Sequence, residues 1–170
     1  MLIRAYGMYW NPEVVDWGTP GAGNQGNLIG RVKSGAHTYS IDFWNAYGVY
    51  VLHHEFNAVY VGKAAATRLG ARLRNHLTDR HAGRWDMFSW FSLSKIRITQ
   101  RDVSDPGTRY LSQGTVNDTL EALAILIADP KLNRRREALP SAVRALQVAS
   151  PHPRTIRSYL ERILETLEDE

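Results

Sequence analysis

Two short runs with strand-like alternation constrain this chain most. They are Gly48-Val49-Tyr50-Val51-Leu52 and Ala58-Val59-Tyr60-Val61-Gly62, each bounded on one side by glycine. Successive side chains of a strand point to opposite faces, so the valines of each run share one face and the tyrosine takes the other. Between the runs lies the polar stretch His53-His54-Glu55-Phe56-Asn57, which predicts a hairpin loop with His53 and His54 facing solvent. An odd-length loop puts Tyr50 and Tyr60 on the same face of a small sheet, where directly opposed residues sit about 5 Å apart at Cβ. Two phenols side by side either fill a core or build a site.

The next segment, residues 67–80, carries Leu69, Leu73 and Leu77 at four-residue spacing, one stripe of a helix. Arg72 and His76 are also four apart, about 60° from that stripe, which places them where the helix meets the sheet. A solvated basic face is the plainer reading of the same residues. A second helix is expected over Thr119–Ala128, capped by Asn117 or Thr115 and ended by Asp129-Pro130. Glu121 is the only charged residue between Asp118 and Asp129, which predicts a partly buried carboxylate in need of an arginine or a metal. The alternative puts Glu121 on the one wet side of the helix, near its favourable dipole end. Asn133 follows after Pro130-Lys131-Leu132 and lies within reach of the same site.

Taken together, these residues resemble the GIY-YIG nuclease family. Gly48-Val49-Tyr50 matches the first half of its signature and Tyr60-Val61-Gly62 the second, with valine for isoleucine in both. The family's arginine, followed one turn later by histidine or tyrosine, matches Arg72 and His76; its metal-binding glutamate matches Glu121. Its asparagine, in a Leu-Asn pair, matches Leu132-Asn133, and Lys63 resembles the lysine of the excision-repair incision branch. The resemblance spans residues 46–135. It implies an α/β (α+β) fold with a small antiparallel three-stranded sheet flanked by helices. It also implies a divalent-metal-dependent endonuclease that hydrolyses DNA phosphodiester bonds, using Mg²⁺ or, in its place, Mn²⁺. In that scheme Glu121 binds the metal, Arg72 steadies the phosphate and Tyr50 is the general base. Tyr60, His76 and Lys63 orient or move protons, and Asn133 acts as an uncharged anchor. A catalytically silent nucleic-acid-binding or regulatory module on the same scaffold is the alternative.

The residue types suit this chemistry in their own right. Phosphodiester hydrolysis needs an activated water, charge neutralisation on the phosphoryl group and help for the leaving oxygen. Arginine offers a planar fork to a phosphate oxygen, and a single carboxylate can hold a hard cation whose shell is completed by water and phosphate. A free phenol has a pKa of about 10, so a basic Tyr50 requires positive charge nearby or a proton relay; Arg72, Lys63 and His76 are placed to supply either.

Charge agrees with an anionic partner. The net charge is +4, but the last ten residues hold five acids against one arginine, leaving residues 1–160 at 20 basic against 12 acidic, or +8. Arg68, Arg74, Arg80 and Arg84, with Arg134, Arg135 and Arg136, form the expected nucleic-acid-binding clusters. DNA, duplex or branched, is the partner the resemblance implies; charge agrees with it but would not by itself have shown it. The chain has no cysteine, which excludes disulfides and thiolate metal sites and fits a cytoplasmic location. No apolar run reaches 18 residues, so no membrane span is expected. Gly21, Gly23 and Gly26 spell a formal G-x-G-x-x-G, but poor helix formers follow them; the stretch reads as a loop, and no small-molecule cofactor is expected.

Three regions are expected: an N-terminal extension over 1–45, the nuclease-like domain over 46–135, and a helical extension over 136–170. Within them, Leu2–Trp10 reads as a strand or a packing arm, and strands are expected at Tyr39–Asn45 and Arg84–Leu93, the last central and extended by Lys95–Thr99, with Trp85 as its one candidate for exposure. Asp105-Pro106-Gly107 marks a turn. Helices are expected at Pro140–Ala149 and Arg154–Leu167, the last one packing on the domain or pairing two copies into a homodimer.

Overall fold

The computed structural model describes residues 2–19, 25–108, 110–129 and 139–150, together with 157, 160, 161 and 164. In chain order the elements are β1 (Ala5–Trp10), a 3-10 turn (Pro12–Val14), β2 (Ile29–Ser34), β3 (His37–Asp42), β4 (Gly48–His54) and β5 (Asn57–Ala64). Then come α1 (Leu69–Asn75), β6 (Met87–Ser92), β7 (Lys95–Arg97), β8 (Asp102–Ser104), α2 (Gln113–Ala128), β9 (Val143–Arg144) and β10 (Leu146–Gln147). The fold is mixed α/β, with a principal sheet larger than the three strands expected. Five strands run in the order β5-β4-β6-β1-β9, antiparallel except where β9 lies parallel to β1. The enlargement comes from outside residues 46–135: the aromatic N-terminal run pairs with β6, and residues 143–144 pair with that run in turn. A second sheet, β10-β2-β3, and the small hairpin β7-β8 complete the strands.

The hairpin β4-β5 forms as its alternation predicts, but over a tighter turn. Glu55 and Phe56 alone make the turn, with φ of 49° and 66°, the left-handed geometry that matches the twist of two-residue hairpins. His53 is thereby drawn into the strand and is buried, with Nε2 2.9 Å from Ser89 Oγ; only His54 of the pair is exposed. The register pairs Tyr50 with Gly62 and Leu52 with Tyr60, broken by a bulge beyond Leu52. Tyr50 and Tyr60 therefore share a face as diagonal neighbours, not as an opposed pair.

Helix boundaries also differ from those expected. The first helix is confined to Leu69–Asn75, with His76 as its C-cap and turns continuing to Arg84. The second begins earlier, because the Ser112 hydroxyl accepts from the Thr115 N–H and caps it in place of Asn117 or Thr115. Residues 140–149 contain the short strands β9 and β10 in place of a helix, since pairing with β1 and β2 overrides local propensity there. The strand expected at 39–45 is β3, ending at Asp42, whose carboxylate accepts from the Leu28 and Trp44 N–H groups. Lys95–Arg97 leaves the principal sheet to pair with β8, and Trp85 is buried, its indole N–H donating to the His76 carbonyl. The glycines at 21 and 23, Asn133 and Arg134–Arg136 lie outside the described residues, as does nearly all of the last expected helix.

The sheet separates two cores. On one side α1 packs through Leu69, Leu73 and Leu77 against Tyr50, Leu52, Phe88 and Trp90, together with Trp17 and Trp44 from the N-terminal half. On the other, α2 packs through Ala122 against Ile3, Val51 and Phe91, with Leu139 beside them. Among the described residues no helix is long and apolar enough to cross a membrane.

Candidate functional site

Gly48 and Gly62 are both required by close approach. A Cβ on Gly48 would lie 1.9 Å from the Phe91 carbonyl oxygen of the neighbouring strand. A Cβ on Gly62 would lie 2.3 Å from Cζ and Oη of Tyr50, because the Tyr50 ring crosses directly over that backbone. Gly62 thus lets the phenol lie flat on β5 and fixes where its hydroxyl points.

That hydroxyl meets the end of α1. Tyr50 Oη is 2.7 Å from His76 Nε2, and His76 Nδ1 is 2.6 Å from Asp79 Oδ2. The second carboxylate oxygen of Asp79 accepts the His81 N–H at 2.7 Å. Aromatic rings enclose the pair. The Tyr60 centroid is 6.2 Å from that of Tyr50, 5.2 Å from His76 and 4.5 Å from His81. Arg72, one helical turn before His76, turns its guanidinium toward the Tyr50 hydroxyl, and its Nε is buried with no hydrogen-bond partner among the described residues. The structure therefore gathers Tyr50, Tyr60, Arg72 and His76 into one cluster. It adds Asp79 and His81, which the sequence reading passed over; the available signal was a carboxylate three residues after a histidine at a helix end.

Electrostatics within the cluster differ from those expected of a standing base. Tyr50 is completely buried, and burial pushes its pKa up to about 12, although the Arg72 charge pulls the other way. A phenolate at pH 7 would then cost about 7 kcal/mol, at 1.36 kcal/mol per unit. The expected lowering by nearby cations is outweighed by desolvation. Burial likewise holds the His76 imidazole below its usual pKa, against the opposing pull of Asp79, so the ring is neutral at pH 7 and available as an acceptor.

Two expected members lie elsewhere. Lys63 pairs in register with Val49, so it projects from the face opposite Tyr50, where it is exposed and lines an apolar cavity of about 390 Å³ under α2. Glu121 is exposed, contrary to the partly buried carboxylate expected: Thr119 and Ala122 take the buried side of α2, and at 100° per residue Glu121 falls on the outer side. The sheet stands between that carboxylate and the Tyr50 ring. The arrangement around Glu121 does not fit a Mg²⁺ site serving the tyrosine cluster.

His76, Asp79 and His81 each offer a donor atom, all within 4.8 Å of one another, close enough in principle for an ion. However, the 2.6 Å between His76 Nδ1 and Asp79 Oδ2 is a hydrogen-bond distance. Two ligands held about 2.1 Å from a tetrahedral ion stand roughly 3.4 Å apart. As folded, this group is a hydrogen-bonded chain and not a coordination shell.

Of the expected nucleic-acid contacts, Arg80 and Arg84 are exposed beside the cluster, with Arg80 Nε donating to His81 Nε2 at 3.2 Å. Arg68 and Arg74 are committed to the fold. Arg68 stacks 3.5 Å over the Tyr47 ring and donates to the Ala65 carbonyl; Arg74 lies over Trp44 and donates to the Trp17 carbonyl at 3.4 Å. Comparison with protein-family models, curated proteins and solved structures gives no match to this chain.

Proposed function

We propose that this protein is a phosphodiester hydrolase acting on DNA, an endonuclease whose chemistry is centred on Tyr50, His76 and Arg72. The observation that carries the reading is the 2.7 Å contact between the Tyr50 hydroxyl and the neutral His76 Nε2, with the Arg72 guanidinium beside it, whose Nε has no hydrogen-bond partner among the described residues. A buried unpartnered donor is unusual, and a phosphate oxygen is the ligand a guanidinium fork fits best.

The proton movement follows from the pKa directions. Tyr50 passes its proton to His76 Nε2 as its oxygen takes one from water, so no free phenolate accumulates. The water oxygen forms a bond to phosphorus while the bond to the leaving ester oxygen breaks. That oxygen takes a proton from solvent, and His76 returns its extra proton to solvent, so charge and atoms balance. Arg72 offsets negative charge on the phosphoryl oxygens throughout. Tyr50 is wholly buried, so this step requires that water gain access to its oxygen, beside the half-buried Tyr60 and His81, when a phosphate docks.

The resemblance also calls for Mg²⁺ on Glu121, but no step here is routed through that carboxylate. Supercoiled-plasmid nicking tests the reading, comparing wild type with Tyr50→Phe and Arg72→Ala; nicking that survives both substitutions refutes it. Arms with Mg²⁺, Mn²⁺ and EDTA, run beside Glu121→Gln, read out the cation separately. Nicking retained in Glu121→Gln leaves the chemistry on the α1 side alone, whereas loss there assigns a cation to Glu121 and brings α2 into the site. The complete burial of Tyr50 favours a second reading, a nucleic-acid-binding module without turnover; salt-sensitive DNA binding with no product would establish it.

A further inference from the structure

We infer that Asp79 is the positioning residue of this site, holding His76 in the one tautomer that can take a proton from Tyr50. The inference rests on the hydrolase reading for its role in turnover, but its structural basis is independent.

A neutral imidazole carries its proton on one nitrogen and a lone pair on the other. His76 Nδ1 faces Asp79 Oδ2 at 2.6 Å, and an ionised carboxylate can only accept a hydrogen bond. A lone pair on Nδ1 would therefore oppose an anion at contact distance, so the proton must reside on Nδ1. Nε2 then presents its lone pair to the Tyr50 hydroxyl at 2.7 Å, which donates to it. The opposite tautomer would make Nε2 a donor to Tyr50 and block transfer. A doubly protonated ring would block it equally.

The carboxylate is itself fixed. Its other oxygen accepts the His81 N–H at 2.7 Å, a contact to the backbone of the turn after α1 that does not involve the His76 side chain. The His76 side chain is 4% exposed and that of Asp79 37%, so the chain of hydrogen bonds runs from the core outward. Among the described residues, the groups facing the His76 ring are Tyr50 from β4, Tyr60 from β5, Arg72 from α1, and Asp79 and His81 from the following turns. Asp79 is the only acid among them. It supplies both the orientation and the charge that stabilises the imidazolium formed when the proton arrives, the division of labour of a nucleophile–histidine–carboxylate triad, with a phenol in first place.

The test uses the full chain labelled with ¹⁵N-histidine, and Asp79→Asn and Asp79→Glu beside the wild type. Long-range ¹H–¹⁵N correlation at pH 7.5 reads the His76 tautomer with no need for activity. Wild type and Asp79→Glu are expected to carry the proton on Nδ1, and Asp79→Asn to shift the population toward Nε2–H. In plasmid nicking, Asp79→Asn is expected to lower the turnover rate on the order of 10³-fold, with DNA affinity unchanged and Asp79→Glu recovering much of the loss. The acid limb of the pH–rate profile is expected to move to lower pH in Asp79→Asn, because the carboxylate holds the His76 pKa up. A wild-type ring with its proton on Nε2, or a tautomer unaffected by Asp79→Asn in a folded protein, overturns the inference. A wild type that does not nick but shows the Nδ1–H tautomer, lost in Asp79→Asn, sinks the hydrolase reading while upholding the hold of Asp79 on His76.

Discussion

Substituting Gly62 by alanine probes the geometry of the site through packing alone. The added methyl would lie 2.3 Å from Cζ and Oη of Tyr50, whereas non-bonded heavy atoms settle at about 3.5 Å. Tyr50 must therefore shift by about 1 Å, enough to spoil the 2.7 Å geometry between its hydroxyl and His76 Nε2. Overpacking of this kind costs about 1–3 kcal/mol. Leaving a buried polar group unpaired costs about 1–3 kcal/mol more. Alanine returns about 0.5–1 kcal/mol through reduced backbone freedom in the unfolded chain. The net expectation is about 3 kcal/mol of destabilisation in urea unfolding. The same substitution in a Tyr50→Leu background meets neither Cζ nor Oη, so there it should be neutral or slightly stabilising. A double-mutant cycle should therefore return a coupling of about 3 kcal/mol between positions 50 and 62, near the top of the range for residues in contact. A loss below about 1 kcal/mol in the Tyr50 protein, or an equal loss in both backgrounds, would refute the account of why glycine stands at 62.

Other expectations are simpler to state. His53 and His76 are both held neutral by burial, with pKa values below the usual 6.5. Their unfolded forms take up protons first, so stability is steady above about pH 6.5 and falls as the pH drops below it toward the folded values. Urea midpoints at pH 7.5 and 5.5 should show that loss, and His76→Gln should make it shallower; a midpoint that rises on acidification contradicts the assignment. Tyr50→Phe removes the proton donor to His76 and should lower nicking by about 10²–10⁴-fold, the usual contribution of a positioned acid–base group, while gel-shift affinity stays put. Arg80→Ala with Arg84→Ala should weaken DNA binding uniformly across sequences and reduce the salt slope by about 2, since each exposed arginine releases about one counterion. An unchanged slope would place the nucleic acid elsewhere on the surface.

What was legible in the sequence was local. Alternation around Tyr50 and Tyr60 gave the hairpin, and the four-residue spacing of Leu69, Leu73 and Leu77 gave α1 with Arg72 and His76 on its margin. These signals depend on the period of a strand or a helix, which neighbouring residues set by themselves. The sequence did not reveal which face of the sheet each element covers. Lys63 follows Gly62 by one residue, and that single step sends it to the opposite side from Tyr50. Glu121 looked buried because its neighbours are apolar, but only one side of α2 packs, and Leu120, also exposed, shows that apolar composition did not mark the buried side. His53 was misplaced because the turn could have used five residues or two, and the left-handed Glu55-Phe56 pair carries none of the usual asparagine or glycine. The strand partners of β1 were illegible for a different reason: they lie about 80 residues away or more, and no local period records them.

That distance has a consequence for how the molecule assembles in time. β9 lies parallel to β1 in the principal sheet, and β10, one residue further on, closes the second sheet against β2, with Ala145 buried between them. A five-residue segment near position 145 thus latches two sheets whose other strands are all complete by residue 92. During synthesis the edges of β1 and β2 stand open until this latch leaves the ribosome. Closing so long a loop is an entropically slow step, and open strand edges are where chains pair with the wrong partner. The hairpin and α1 need only neighbouring residues, so the tyrosine–histidine cluster depends on contacts available early, whereas the sheet that supports it depends on the segment synthesised last among its strands.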